Sequence, residues 1–141
     1  VLANRGTSAL VILGDDGLDE FSIHAPNQIW VVSGGKVSKT KVTPAEVGIP
    51  VHANDVLAGG DAAFNADIVH RVFEMDTSEK IAGIIDAVAI NAACAMTAVE
   101  GIAGTYDLVE SLTRNFSKAK EILRDGRAKQ TLIEWIDVSN K

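Results

Sequence analysis

The sequence predicts an α/β fold in which a strand-rich front half is followed by a helix-rich back half. The front half contains short runs of β-forming residues that end in glycine or proline, and from residue 61 onward apolar residues recur at helical spacing. The 141-residue chain is 47% hydrophobic and 23% charged, which is typical of one globular domain with one core. We therefore expect strands and a hairpin, followed by about four helices.

The strands are predicted from short apolar or alternating segments. Residues 8–13 form an apolar run of the kind that is buried on both faces of a helix-covered sheet. Residues 21–24 and 29–32 are short and rich in β-forming types. The glycine pair at 34–35 then makes a tight turn into residues 36–42, where apolar and polar residues predict a hairpin with one solvated face.

The helices are predicted from start signals and periodicity. Residues 43–46 (TPAE) combine an N-cap Thr, a Pro at the first helical position and a Glu at the third, so a short helix should begin there. Asp61 follows two glycines and is placed to cap the next helix. Further helices are expected from residue 78 to about 99 or 102, from Thr105 to 123, and over 128–136.

The composition also narrows the classes of partner. With a net charge of -6 the chain has no basic field for nucleic acid or an anionic membrane. The most apolar stretch, residues 81–98, is interrupted by Asp86 and Asn91, so we expect a buried central helix instead of a membrane span. The only cysteine, Cys94, lies in that stretch and excludes an internal disulfide. A cytoplasmic protein is the default expectation.

The residues with the strongest chemical pattern form an acidic turn directly after the first predicted strand. Four carboxylates fall between residues 15 and 20, beside two glycines that allow tight folding of the backbone. Ligands of open α/β sheets usually bind at the carboxyl ends of strands, and such a cluster needs a compensating cation. Oxygen ligands without His or Cys favour magnesium or manganese. The alternative is an acidic surface turn, in which Asp-Gly pairs are common.

Several motifs of the chain, in order, resemble those of anthranilate phosphoribosyltransferases. LVILGDDGLDE at residues 10–20 is similar to the family signature V-V-H-G-x-D-G-L-D-E. GGKV at 34–37 with TPAEVG at 43–48, LAGGDAAFNA at 57–66 and INAA at 90–93 resemble the family's hairpin and turn, its helix start and its L-N-A-A helix. The resemblance covers essentially the whole chain and is strongest to actinobacterial members.

The resemblance implies a partial domain, with residues 1–141 forming the C-terminal part of the large α/β domain of the nucleoside phosphorylase and phosphoribosyltransferase type of fold. The start VLANRG, without Met, also has the pattern of a helix entered midway. The family's helical N-terminal domain, Gly-rich diphosphate loop, K-H-G-N-R segment and anthranilate-contacting Arg should lie upstream, and none of those patterns occurs here. The family's His before the signature Gly is replaced by Leu13.

For function, the resemblance implies transfer of phosphoribosyl from phosphoribosyl diphosphate to anthranilate in tryptophan biosynthesis. Asp19 and Glu20 correspond to the family's ligands for Mg²⁺, while Asp15 and Asp16 are expected to support them or face solvent. The intact enzyme is expected to be a homodimer through the missing helical domain, and the isolated chain is expected to be inactive. Two alternatives remain: a pyrimidine nucleoside phosphorylase relative, and a stand-alone binding module with the same fold.

Other candidate groups favour structural roles. Gly59 and Gly60 precede a helix N-terminus, where phosphate often binds, but the carboxylate of Asp61 would occupy the position that an anion needs. The three histidines are scattered without the spacing of metal ligands. Cys94 is expected to be a small buried hydrophobe, because no His or Asp lies near it at helical spacing.

Overall fold

A computed structural model describes residues 1–101 and 108–141 of the chain. In that part three strands precede four α-helices: β1 (Ala9–Gly14), β2 (Asn27–Ser33), β3 (Lys36–Val42), α1 (Ala62–Phe73), α2 (Glu79–Glu100), α3 (Leu108–Arg124) and α4 (Arg127–Ser139). Short 3₁₀ helices cover Ala3–Arg5 and Pro44–Val47. The predicted α/β class, with strands and a hairpin before about four helices, is confirmed. The expected helix start at Thr105 lies outside the described residues.

The strands form an antiparallel sheet in the order β1-β2-β3. Trp30 of β2 lies opposite Val11 of β1 and Lys39 of β3, and the Lys39 ammonium is 4.7 Å from the centre of the Trp30 ring. Gly34 and Gly35 have φ values of 55° and 74°, as a two-residue hairpin turn of type I′ requires. Residues other than glycine rarely adopt this conformation twice in succession, so the predicted hairpin follows directly from the glycine pair.

The expectation that the first strand is buried on both faces is wrong for the described structure. Leu10 and Ile12 pack against the core, but Val11 and Leu13 on the opposite face are 44% and 40% exposed. Successive side chains of a strand point to opposite faces, and the described helices pack against only one face of this antiparallel sheet. The apolar run therefore predicted the strand correctly, but the prediction that both of its faces are buried was wrong.

Residues 21–24, predicted as a strand, form an irregular but buried segment. Phe21 and Ile23 are each 2% exposed. The Phe21 N–H donates to the Asn91 side chain at 2.8 Å, and the Ser22 N–H donates to the Asn27 side chain at 2.7 Å. Side-chain amides thus satisfy backbone groups that a neighbouring strand would satisfy in a sheet, and the Asn91 contact, made over 70 residues, leaves no local signal in the sequence.

Helix α2 is the centre of the hydrophobic core. Ile81, Ala89, Ile90 and Ala93 on α2 are fully buried, and the main partner helix is α3. The buried apolar side chains of α3 are Leu108, Leu112, Phe116, Ala119 and Leu123. The prediction of a long central helix at this position is confirmed, and a helix that is apolar on most sides needs neighbours on most sides.

Among the described residues, α2 is also the one helix that is long and apolar enough to cross a membrane by length and composition. Half of its most apolar 18-residue window is buried inside the fold, and its internal charge, Asp86, is 3% exposed. Core helices of globular proteins meet the same criteria, and the packing of α2 is that of a core helix.

The predicted helix starts are present at the atomic level. Thr43 and Glu46 form a reciprocal capping box, with the Thr43 N–H donating to Glu46 at 2.6 Å. Asp61 accepts the Phe64 N–H at 2.8 Å and caps α1. Both caps satisfy backbone donors that a helix N-terminus leaves without intrahelical partners.

A buried charge network attaches two other segments to α2. Asp86 accepts a hydrogen bond from Lys120 of α3 at 2.7 Å and lies 2.9 Å from Nε2 of His52, which belongs to the irregular segment 51–58. The side chains of Asp86 and His52 are only 5% and 7% exposed. Buried charges are tolerated only when they are paired, so these three residues depend on one another.

We expect Asp86→Ala to lower the free energy of unfolding by about 3 kcal/mol, because it leaves the Lys120 ammonium and the His52 ring without their partner. Thermal or urea unfolding followed by circular dichroism measures the change. Arg127→Ala, which removes the partner of Asp125 in an exposed ion pair, is the control and should barely alter the melting temperature. Equal changes in the free energy of unfolding would contradict the prediction that the buried network stabilises the fold more than an exposed ion pair does.

Candidate functional site

The acidic turn, residues 14–20, begins at the last residue of β1. The Gly14 N–H donates to the Leu18 carbonyl at 2.8 Å, and the Gly17 N–H donates to the Gly14 carbonyl at 2.9 Å. Gly17 has φ of 93°, in the left-handed region that favours glycine. A Cβ at Gly14 would overlap the Asp16 carboxylate and lie 2.9 Å from the Cβ of Ser22. Both glycines of the motif are therefore required by the fold of the turn.

Asp15 is engaged by the neighbouring strands. Its carboxylate forms an ion pair with Lys41 of β3 at 2.6 Å and accepts a hydrogen bond from Gln28 of β2 at 3.1 Å. The hydrogen bond from Lys41, with that from Gln28, holds the pKa of Asp15 below its ordinary value. Asp15 therefore stays ionised and partly neutralised, and it ties the turn to the sheet.

Asp16 is engaged within the turn and by the segment that follows it. The Ser22 hydroxyl donates to Oδ2 of Asp16 at 2.5 Å, and the Leu18 N–H donates to Oδ1 at 3.3 Å. This pattern is an Asx-type turn, in which a short carboxylate replaces a backbone acceptor. The interpretation of Asp15 and Asp16 as supporting groups is consistent with these contacts.

Asp19 and Glu20 are exposed side chains at the end of the turn. In residues 1–101 and 108–141 no cationic side chain and no hydrogen-bond donor pairs with either carboxylate. The four acidic residues are thus divided into two that hold the structure and two that face outward. The outward pair is the one that the sequence motif assigns to the metal.

The described part of the chain contains no group of three or more His, Cys, Asp or Glu side chains arranged to hold a metal ion. The donor set of the outward pair is nevertheless suitable for magnesium, which takes oxygen ligands, keeps several waters and needs one or two protein carboxylates when a phosphorylated substrate supplies the rest. A zinc site of the usual kind would need additional nitrogen or sulfur ligands. The residues therefore fit a substrate-completed magnesium site.

A cavity of about 310 Å³ lies on another part of the surface. It is lined by the segment 23–26, the short helix around Pro44, and residues 49–52 with Asn54. None of its lining residues belongs to the acidic turn. The cavity and the turn are nevertheless joined, because the Asp15 N–H donates to the carbonyl of the lining residue Pro26 at 2.9 Å.

Three residues that support the turn had no role in the sequence prediction. Ser22 donates to Asp16, Asn27 binds the backbone of Ser22, and Asn91 binds the backbone of Phe21. Asn27 and Ser22 are completely buried polar residues. The sequence had marked Asn91 as an interruption of an apolar helix and as part of the INAA motif, but neither signal indicated its partner at the turn.

The Gly59-Gly60-Asp61 segment has the geometry of a structural helix start, as expected. The Gly60 N–H donates to the Asn65 side chain at 3.0 Å, and the Asn65 amide donates back to the Gly60 carbonyl at 2.9 Å. A phosphate-binding loop would donate backbone N–H groups to the anion. Here the N–H groups of Gly60 and Phe64 already donate to Asn65 and Asp61.

The remaining candidate groups also have structural environments. Burial raises the pKa of the Cys94 thiol to about 12, so the nucleophilic thiolate form is suppressed, as expected of a small buried hydrophobe. His70 is exposed on α1, whereas His52 belongs to the Asp86 network. The structural role of His52 was not predicted from the sequence, because its partner lies 34 residues away.

Comparison with known proteins identifies relatives over nearly the whole chain. An anthranilate phosphoribosyltransferase from Streptomyces griseus is 40% identical over 140 residues, which make up 99% of this chain and 38% of that protein. The chain thus spans about 38% of the length of the curated relative.

The fold is shared with solved structures of the same name. The anthranilate phosphoribosyltransferase of Thermus thermophilus superimposes with a TM-score of 0.75 at 26% identity, covering 96% of this chain and 37% of that one. A Saccharomyces cerevisiae enzyme variant with Mg bound gives a TM-score of 0.71 at 20% identity, covering 94% and 36%, and shows the fold alone. The family model described as "Glycosyl transferase family, a/b domain" matches residues 1–129. This chain therefore belongs to that glycosyl transferase family.

Proposed function

We propose that the chain forms the metal-binding part of an anthranilate phosphoribosyltransferase, which transfers phosphoribosyl from phosphoribosyl diphosphate to the amine of anthranilate. The observation that carries the proposal is the division of the acidic turn. Asp19 and Glu20 point outward without partners among the described residues, while Asp15 and Asp16 are held by Lys41 and Ser22. The 40% identity to an enzyme of that name supports the substrate assignment.

The reaction is a displacement at the anomeric carbon of the sugar. The bond from that carbon to the diphosphate oxygen breaks with its electron pair on the diphosphate, the anthranilate nitrogen bonds to the carbon, and the nitrogen then loses a proton. Magnesium, when bound, neutralises negative charge on the departing diphosphate. Asp19 and Glu20 are the residues of this chain that would hold it, directly or through water. The Saccharomyces cerevisiae enzyme variant that shares this fold has Mg bound.

The arrangement of the turn also limits the electrostatic cost of the site. Four carboxylates close together repel one another, and each raises the free energy of its neighbours' charged forms. The ion pair of Asp15 with Lys41 offsets part of this repulsion within the chain. A divalent cation held by Asp19 and Glu20 would offset further negative charge of the turn.

We further propose that residues 1–141 are one partial domain of a cytoplasmic homodimeric enzyme. The diphosphate loop, the K-H-G-N-R segment and the anthranilate-contacting Arg that the family resemblance implies do not occur in this sequence. This chain covers 38% of the relative's length, so substrate binding would then require segments from the other 62% or so. The solved and curated relatives described above bear the transferase name, which favours this function over a pyrimidine nucleoside phosphorylase.

The 141-residue chain alone should show no transfer of phosphoribosyl to anthranilate. Positioning of two reactants supplies a large part of the rate enhancement of such enzymes, and the chain carries the metal-holding carboxylates without the other substrate-gripping motifs. The measurement is the loss of anthranilate fluorescence in the presence of phosphoribosyl diphosphate and Mg²⁺. The Streptomyces griseus enzyme is the positive control, and turnover by the chain itself would contradict the proposed division of the site.

The metal role can be tested in a chimaera in which residues 1–140 replace the matched segment of the Streptomyces griseus enzyme. We expect Asp19→Asn with Glu20→Gln to lower kcat by roughly 100-fold or more and to raise the Mg²⁺ concentration needed for half-maximal rate. The melting temperature should hardly change, because both side chains are exposed.

The matched control is Glu134→Gln with Asp137→Asn, which removes the same two charges from the exposed helix α4. It should leave both kcat and the Mg²⁺ dependence unchanged. The metal role is rejected if the Asp19 and Glu20 double variant behaves like this control. A collapsed melting temperature in the Asp19 and Glu20 variant alone would show instead that the pair is structural.

A further inference from the structure

We propose that Asn91 is a positioning residue that sets the direction of the Asp19 and Glu20 carboxylates from the core helix α2. This inference rests on the proposed metal role of that pair. Asn91 lies in the middle of α2, and its side chain reaches the backbone of Phe21, which is 70 residues away in sequence. It is therefore a tertiary contact between the most buried helix and the residue that follows Glu20.

The Asn91 carboxamide grips Phe21 at two points. Oδ1 accepts the Phe21 N–H at 2.8 Å, and Nδ2 donates to the Phe21 carbonyl at 3.3 Å. Nδ2 also donates to the Ala87 carbonyl one turn earlier in α2, at 3.0 Å. This third bond fixes the orientation of the amide, so that acceptor and donor both face Phe21. Only a side chain with a donor and an acceptor on one plane can make all three bonds.

The grip acts directly on Glu20 because of peptide geometry. The Phe21 N–H belongs to the planar peptide unit that joins Glu20 to Phe21. Fixing the direction of that N–H restricts the plane of the unit, which contains the Cα of Glu20, so the backbone from which the Glu20 side chain projects is held by α2. The Phe21 side chain is 2% exposed and anchors the same residue in the core. The end of the acidic turn is thus immobilised although its carboxylates are exposed.

A second amide makes the same grip one residue later. Asn27 Oδ1 accepts the Ser22 N–H at 2.7 Å, and Asn27 Nδ2 donates to the Ser22 carbonyl at 3.0 Å. This contact is local, since Asn27 lies only five residues from Ser22. Asn27 therefore shapes the segment that follows the turn, whereas Asn91 sets the position of the turn relative to the core.

Two roles of Asn91 make different predictions. A purely structural amide satisfies buried backbone groups, and its loss lowers stability without altering a metal affinity measured on the folded protein. A positioning amide also changes that affinity. Residues that orient metal ligands typically change affinity by about 10- to 100-fold when they are removed. The two outcomes are distinguished by measuring the metal affinity, backbone protection and melting temperature of the same variants.

The experiment uses the chimaera with the Streptomyces griseus enzyme described above, in the presence of inorganic diphosphate, and follows the paramagnetic broadening of backbone amides by Mn²⁺ in NMR spectra. We expect Asn91→Ala to raise the dissociation constant for Mn²⁺ at Asp19 and Glu20 by about tenfold, and to accelerate hydrogen exchange of the Phe21 amide. If Asn91→Ala does not fold, the same measurements are made on Asn91→Ser, which has a smaller polar side chain.

The matched control is Asn115→Ala. Asn115 is a buried amide that joins α3 to Thr97 of α2 at 3.0 Å and has no contact with the turn. It should lower the melting temperature and leave the Mn²⁺ affinity unchanged. Equal weakening of Mn²⁺ binding by Asn115→Ala would assign the effect to global stability and overturn the proposal.

Two further results separate the inference from the proposed function on which it rests. Faster exchange of Phe21 in Asn91→Ala with an unchanged Mn²⁺ affinity would show a structural clamp, and the positioning role would be wrong. If the double variant Asp19→Asn with Glu20→Gln binds Mn²⁺ as the wild type does, the metal assignment itself fails, and the inference fails with it. A loss of affinity in both the double variant and Asn91→Ala supports both.

Discussion

The polar side chains of an otherwise apolar helix hold this structure together. Helix α2 carries Asp86, Asn91 and Thr97 on a surface that is otherwise mostly alanine and isoleucine, and each bonds residues outside the helix. Asp86 binds Lys120 and His52, Asn91 binds the backbone after the acidic turn, and Thr97 accepts from the Asn115 amide. Because a buried polar group without a partner is costly, each of these residues fixes where its partner segment can lie.

The acidic turn divides its carboxylates between two that make structural contacts and two exposed ones that we propose as metal ligands. Glycines allow the backbone to turn, and two of the four acidic residues are used within the protein, Asp15 toward Lys41 and Asp16 toward Ser22. These two contacts fix the position from which Asp19 and Glu20 project. The proposed metal site would be completed by a substrate. Metal ligands that are already held in place lose less conformational entropy on binding, so the affinity of such a site is higher.

The features that could be predicted from the sequence are those determined by local chemistry. The glycine pair dictates the hairpin, Thr43 with Glu46 dictates a capping box, and Asp61 caps a helix, each within a few residues. Asp19 and Glu20 lie exposed at the end of the turn, and their role as metal ligands stays a prediction. The predictions that were wrong concern residues 8–13 and 21–24, where burial and bonding depend on distant segments. Apolar runs identify a strand or a buried segment, but they do not show which faces are covered or whether a side-chain amide replaces a strand neighbour.

The same polar residues also explain why α2 is a core helix although its composition would allow a membrane span. In lipid, a helix satisfies its own backbone, and an ionised or amide side chain must find a partner on another helix. Here the partners of α2 come from an irregular segment and a turn, through His52 and Phe21, and from α3, through Lys120. Irregular backbone of this kind is not tolerated against lipid. The polar interruptions in α2 are therefore the points at which a hydrophobic helix is connected to α3 and to the strand-rich half of the chain.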